Sequence, residues 1–283
     1  MKTLSIITIC HNDVSHLKNY FEMLNPQLNE QVTHLFVDDA STDGSFELAK
    51  ALSKGTVIQN PTRRDVGGAR NAGIEYLRSL VQPPDYVWFH DCDDQIPPSS
   101  VERILKLLDS DVDCISIPVA TLRKSPNGPS LLKSAVAATD INSAPGTPVG
   151  TWSKVIKLTK YVPQAENQMC EHVAWHYRQF DQFDTWTKVE GEEPCYIWDR
   201  TNDKAISETV DFCNANSNTI EGLAFSNILV QRGLKDKWVS DNLRNLANMY
   251  DVRHELKRPA VKQAWANRFR AECTSMLGGH HVH

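Results

Sequence analysis

Three carboxylates crowd into four positions in "WFHDCDDQIPP" (Trp88–Pro98), where Asp91, Asp93 and Asp94 surround Cys92. In a loop, alternate carboxylates can point to one side and hold a hard divalent cation through oxygen ligands. Left unneutralised, such a cluster repels itself and at least one pKa rises. A cation with only two or three protein carboxylates completes its shell with water and phosphate, so a phosphorylated ligand is expected beside it. The competing reading is a solvated turn that caps a helix starting at Ser99–Ser100.

A second acidic pair, Asp38–Asp39, lies in "VDDASTDGS" (Val37–Ser45). Either carboxylate could accept hydrogen bonds from a nucleobase N–H or from ribose hydroxyls. The residues from Ser41 to Ser45 are turn formers, and an Asx turn with a helix cap accounts for them. Two adjacent carboxylates are more than that turn requires. In "GGARNAGI" (Gly67–Ile74) the glycines allow close backbone approach at a helix N-terminus, where anions are favoured. Arg70 there could pair with a diphosphate or with one of the acidic clusters. The pattern is not GxGxxG, so it does not support a dinucleotide fingerprint. Finally, "MCEHVAWHYRQF" (Met169–Phe180) places Glu171, His172, Trp175 and His176 at helical spacing. His172 and His176 are one turn apart, yet HExxH is absent.

These residues need elements to hold them, and the first half of the chain supplies a regular alternation. "TLSIITI", "THLFVDD", "GTVIQN", "YVWFHD" and "VDCISIPVA" are apolar and β-branched, as strands are. Between them, "DVSHLKNYFEMLN", "SFELAKAL", "GGARNAGIEYLRSL" and "SSVERILKLL" carry helical spacing. Strands alternating with helices imply a mostly parallel sheet with helices on both faces. Ligands bind such sheets at the carboxyl ends of the strands, where both acidic clusters fall. Residues 121–148 form a Ser-, Pro-, Gly- and Asn-rich excursion. A strand "GTWSKVIKL", a helix around "EHVAWHYRQF" and a strand "PCYIWDR" then complete the body. This gives a domain over 1–215, with halves 1–120 and 121–215, followed by a helical extension over 216–283.

Composition narrows the class. At 283 residues, 41% hydrophobic and 23% charged, the chain is an ordinary globular protein. No apolar run approaches the roughly 20 residues of a membrane span. "MKTLSIITICHND" lacks a small-residue cleavage site and is expected to be a first strand, not a leader. Seven cysteines without CxxC spacing argue against a disulfide framework or a structural zinc site, and for a reducing, cytoplasmic setting. The net charge of −5 hides an asymmetry: ten Lys/Arg against five Asp/Glu follow Ile228, so residues 1–227 carry −10. That basic region could approach an anionic membrane, peripherally, or a nucleic-acid backbone. A solvated helical face explains it as well.

Taken in order, five motifs resemble those of the family 2 glycosyltransferases, which have the GT-A fold, a Rossmann-like mostly parallel sheet flanked by helices. "FVDDASTDGS" is close to the family's nucleotide-binding VDDGSTDGS, and "GGARNAGI" is similar to its ARNxG segment. "FHDCDD" stands where the family carries its DxD motif. "GTWSKVIK" resembles its W-N-K-L segment, and "CEHVAW" falls at its acceptor-site ED motif. The resemblance covers about residues 3–207. It implies an inverting transfer from a nucleotide-diphospho-sugar, UDP in most members, to an acceptor hydroxyl, with Mn²⁺ or Mg²⁺ on the diphosphate. Carried over by position, it assigns Thr8, His11, Asp38, Asp39, Arg70, Asp91, Cys92 and Asp94 to nucleotide-sugar binding. Asp93, with Asp91, would hold the metal. The catalytic base would be His172 or Glu171, because this chain has Glu-His where the family has Glu-Asp. His11 replaces the tyrosine usual after the first strand.

Two other classes remain on the sequence. A nucleotidyltransferase would need a glycine-rich basic loop after the first strand, and "TICHNDVS" supplies neither feature. A catalytically silent nucleotide-sugar binder is kept open by the missing ED aspartate. The acceptor, whether glycan, lipid carrier, protein or modified DNA base, is not legible.

Overall fold

The computed structural model describes residues 1–123, 128, 130–133, 150–164, 166, 175, 179, 182–191 and 193–201. Its strands are β1 (Leu4–Cys10), β2 (Val32–Asp38), β3 (Thr56–Gln59), β4 (Tyr86–Asp91), β5 (Cys114–Ser116), β6 (Val119–Arg123), β7 (Ser130–Lys133), β8 (Lys154–Lys157), β9 (Trp186–Lys188) and β10 (Tyr196–Arg200). Its α-helices are α1 (Val14–Leu24), α2 (Ser45–Leu52), α3 (Asp65–Ser79) and α4 (Ser100–Leu108). A seven-stranded sheet runs β3-β2-β1-β4-β8-β5-β9, and a three-stranded sheet runs β10-β6-β7. Within the first, β3, β2, β1 and β4 are mutually parallel, while β8 is antiparallel to both β4 and β5.

The strands are apolar because the sheet is covered on both sides. Leu4, Ile6 and Cys10 of β1 join the core under α1, α2 and α4, which also takes in Leu17, Tyr20, Phe21 and Leu24 of α1. The alternate residue Ile7 joins the opposite core, with Ala69, Ala72, Ile74 and Leu77 of α3. Helix α4 buries Val101, Ile104 and Leu108, and pairs Glu102 with Lys106 at 2.8 Å on its outer face. Helix α3 lies so close to the sheet that a Cβ on Gly73 would meet Ile7 Cγ2 at 2.9 Å. Glycine is what permits that approach.

Four expectations are corrected. The run "VDCISIPVA" is two strands in different sheets: β5 stays in the main sheet, and β6 leaves it after Pro118, which has no N–H for a ladder. The segment 121–148 is not wholly irregular, since β6 extends into it and β7 pairs back antiparallel to β6. "GTWSKVIKL" opens with a 3-10 turn over Thr151–Ser153 before β8 begins. The acidic cluster does not cap α4, because neither Ser99 nor a carboxylate bonds its first turn, and Ser100 Oγ donates to Pro97 O at 2.7 Å. The expected helical extension over 216–283 lies outside the described residues. No described helix is long and apolar enough to cross a membrane.

Candidate active site

Register brings the two acidic clusters together. Ile9 of β1 pairs with Val37 on one side and Asp91 on the other, and Cys10 pairs with Asp38. The ends of β1, β2 and β4 therefore form one rim, with Asp38–Asp39 and Asp91–Asp94 on either side of β1.

The first pair is locked into the loops. Asp39 Oδ1 accepts from Asn60 Nδ2 at 2.7 Å and from the Arg64 amide at 2.9 Å, which fixes the segment between β3 and α3. Asp38 Oδ2 accepts from the Ser41 amide at 2.9 Å and from Gln59 Nε2 at 3.0 Å, while its buried Oδ1 has no partner. His11, half-buried, sits with Nδ1 2.7 Å from Asp39 O, and Asn12 Nδ2 lies 3.2 Å from its Nε2. That pairing suits a ring that donates from Nδ1 and accepts at Nε2.

The second cluster divides into three environments. Asp91 is neutralised by the buried Arg70, whose guanidinium donates to it at 2.9 Å and to Gln164 Oε1 at 3.4 Å. Asp94 is 3% exposed and accepts from the Tyr196 hydroxyl and from the Asp199 amide at 2.7 Å. Burial, with Asp93 and Asp91 nearby, pushes its pKa well up. Asp93 has only its own backbone N–H as a donor, and among the described residues no cation lies within ion-pair distance of it. Burial first, then the Asp91 and Asp13 carboxylates, push its pKa up to about 7. It opens onto a cavity of about 390 Å³ between α1 and this loop, lined also by His16, Asn19, Glu22 and Asp199.

Two of the residues assigned to nucleotide-sugar binding have side chains turned into the core. The Thr8 hydroxyl is fully buried and bonds Tyr20 OH and, at 3.1 Å, His34 Nε2, so it belongs to the core under α1. The Cys92 thiol is buried too, beside Cys10, and donates to Asp13 Oδ2 at 3.5 Å. The Cys10 thiol and burial raise its pKa well above that of a free thiol, which keeps it protonated and inert. Glu171 and His172 lie outside the described residues. Further along their segment, Trp175 and Gln179 are helical and buried, with Trp175 Nε1 donating to Val162 O and Gln179 Nε2 to Lys160 O, both at 2.8 Å.

Sequence reasoning missed the residues that brace these groups. Glu166 takes Arg64 Nη2 at 2.6 Å and Asn71 Nδ2 at 3.1 Å, tying the segment before Glu171 to the start of α3. Tyr196, Gln95 and Asp199 brace the loop after β4. Asn71 lay in the ARN run, Gln95 in the acidic loop segment, and Tyr196 and Asp199 in an expected strand, but none of them had been given a role.

Comparison with known proteins gives this geometry its setting. Over residues 5–172 the chain matches the sequence model described as glycosyl transferase family 2. It is 24% identical over 115 residues to EpsH of Bacillus subtilis (strain 168), a protein named for glycosyltransferase activity; that match covers 40% of this chain and 32% of EpsH. Among solved structures, it resembles S. aureus TarS 1-349 at 14% identity and a TM-score of 0.56, covering 98% of this chain and 89% of that one. It also resembles glucosyl-3-phosphoglycerate synthase from Mycobacterium tuberculosis at 16% identity and a TM-score of 0.53, covering 83% and 81% of the two chains. Both share the parallel-sheet architecture described above, the GT-A fold. With the family match spanning more than half of its length, and both acidic strand ends inside it, the chain belongs to glycosyl transferase family 2.

Proposed function

We propose that the chain transfers a sugar from a nucleotide-diphospho-sugar, a UDP-sugar by preference, to an acceptor hydroxyl with inversion at the anomeric carbon, and that residues 1–215 form the catalytic unit. The observation that carries this reading is Asp93, a carboxylate on the rim of the sheet with its pKa raised and, among the described residues, no cation paired with it. Solved relatives support the ligand class: TarS has been solved with UDP, and the M. tuberculosis synthase with Mn²⁺, UDP-glucose and phosphoglyceric acid.

The residues present fit a divalent cation, on one condition. Among the described residues no group of three or more His, Cys, Asp or Glu side chains could hold a metal ion unaided. Asp93, with Asp91 at the edge, would therefore supply a partial set of oxygens, to be completed by a bound diphosphate. When bound, Mn²⁺ or Mg²⁺ offsets the charge that grows on the leaving nucleoside diphosphate. Excess negative charge at Asp93 is what such an ion would relieve.

The chain's own groups do the rest. His11, its ring pinned by Asp39 O, offers a flat face to the base at the end of β1. Asp38 is favoured over Asp39 as the base-reading carboxylate, because its Oδ1 alone is left without a donor while both Asp39 oxygens face the Arg64 amide. The Arg70–Asp91 pair orients Asp91 toward the ribose and sets a positive group behind the diphosphate. The acceptor loses its proton to the residue expected at His172 or Glu171, and its oxygen attacks the anomeric carbon as the diphosphate departs on the opposite face. The test is a mass-spectrometric screen of UDP-, GDP- and dTDP-sugars for hydrolysis or transfer, with Mn²⁺ and with EDTA. Metal-dependent turnover of a UDP-sugar is the expected result. Retained UDP binding with no turnover of any donor contradicts it.

A further inference from the structure

We infer that Tyr196 is a positioning residue for the metal-binding loop, acting through Asp94; this rests on Asp93 being the metal ligand proposed above. Asp94 follows Asp93 directly, so whatever fixes the Asp94 side chain fixes a peptide unit that Asp93 shares. It is held from outside its own sheet. Tyr196 OH and the Asp199 amide both donate to its carboxylate, the latter at 2.7 Å. One residue on, Gln95 and Ile197 exchange two backbone hydrogen bonds at 3.0 and 2.9 Å, and Gln95 Nε2 donates to Asp199 Oδ2 at 2.9 Å. Five hydrogen bonds thus join two loop residues to β10, an edge strand of the second sheet. Within the loop the support is a single long bond, Asp94 N to Asp91 O at 3.2 Å.

The hydroxyl of Tyr196 is delivered by a ring that cannot swing. It stacks on Trp152 with centroids 4.7 Å apart and planes 8° from parallel, and it lies 4.5 Å from the His90 ring. Trp152 is fixed in turn, since Trp88 Nε1 of β4 donates to its carbonyl at 2.8 Å. Without the hydroxyl, Asp94 Oδ2 becomes a buried acceptor with no donor, one residue from the equally crowded Asp93. The carboxylate then rotates toward another donor, and the peptide it shares with Asp93 moves with it. Groups that orient ligands in this way are worth about 10–100-fold in metal affinity.

Tyr196→Phe removes the hydroxyl and keeps the stack. The assay is Mn²⁺ affinity by electron paramagnetic resonance in the presence of UDP, beside UDP affinity in EDTA and the thermal midpoint. The expected result is Mn²⁺ affinity about 10-fold or more weaker, with metal-free UDP affinity unchanged. Asp94→Asn, which keeps one carbonyl acceptor and the side-chain shape, is the second variant should Tyr196→Phe not fold; it is read by Mn²⁺ affinity alone, and the same loss is expected. Metal-dependent UDP binding that is equal in wild type and in a folded variant overturns the positioning role alone. Wild-type UDP binding that ignores Mn²⁺ overturns the metal role of Asp93, and this inference with it.

Discussion

Two pairs of adjacent carboxylates follow parallel strands that flank β1, and they are treated in opposite ways. At the end of β2, the Asp38–Asp39 pair receives amide and side-chain donors on three of its four oxygens, and Asp39 staples the turn into α3. After β4, Asp93 and Asp94 sit beside Asp91 with, among the described residues, one paired cation, Arg70, for the three. The same residue type at equivalent places in one sheet thus does two jobs. A carboxylate surrounded by N–H donors is scaffold, whereas one left facing its own kind stores repulsion that a cation relieves. Arg70 divides the second cluster further, since it neutralises Asp91 and leaves Asp93 exposed to like charge.

That contrast breaks most visibly in catalysis. Asp93→Ala should lower transfer by about 10²–10³-fold, the scale expected when a charge-stabilising group is lost from a transition state. Initial rates with a UDP-sugar measure it, and a loss below tenfold would put Asp93 among the scaffold residues. Chelation should act through the same group: EDTA stops turnover, and added Mn²⁺ restores it in wild type but not in Asp93→Ala. Asp39→Ala should do the reverse. It leaves the Arg64 amide and Asn60 unpaired and should cost about 1–3 kcal/mol of stability, seen as a lower urea midpoint, with the metal dependence of UDP binding intact.

The smallest effect is in pH. The folded pKa of Asp93, raised to about 7, exceeds the roughly 3.9 of an unfolded aspartate. The folded state therefore binds the proton more tightly, and the metal-free protein loses stability as pH rises between those two values. Asp93→Asn removes this loss. Its melting temperature should gain on wild type from pH 4 to pH 8, by about 2–4 °C for each kcal/mol relieved. Mn²⁺ with UDP should erase the gain by raising the wild type. A constant difference across pH would mean that Asp93 is not under electrostatic strain.

Local signals made the first half of the fold legible. Helices α1, α2 and α4 announce themselves by apolar spacing, β1, β2 and β4 by buried runs and β3 by its β-branched residues, and their boundaries fall within two residues of the expected ones. The second sheet was illegible because β6 and β10 pair across more than seventy residues, with nothing local to mark the partnership. Pro118 did carry a warning that a single strand could not run from Val112 to Ala120. In the site, the acidic strand ends and Arg70 were visible as residue types in motifs. The Thr8 side chain was not legible because period-2 alternation says that Thr8 shares a face with Ile6 and Cys10, but not that this face turns to α1 and Tyr20. The Tyr196–Asp94 contact spans 102 positions, and no pattern in either segment points to the other.

The most direct measurement is calorimetric titration of UDP into wild type and Asp93→Asn, each with Mn²⁺ and with EDTA. If Asp93 meets the diphosphate through a divalent cation, wild-type affinity rises at least tenfold with Mn²⁺, and the variant shows the same weak affinity under both conditions. An equal gain from Mn²⁺ in both proteins would contradict the account and return Asp93 to the solvated turn that its sequence alone allowed.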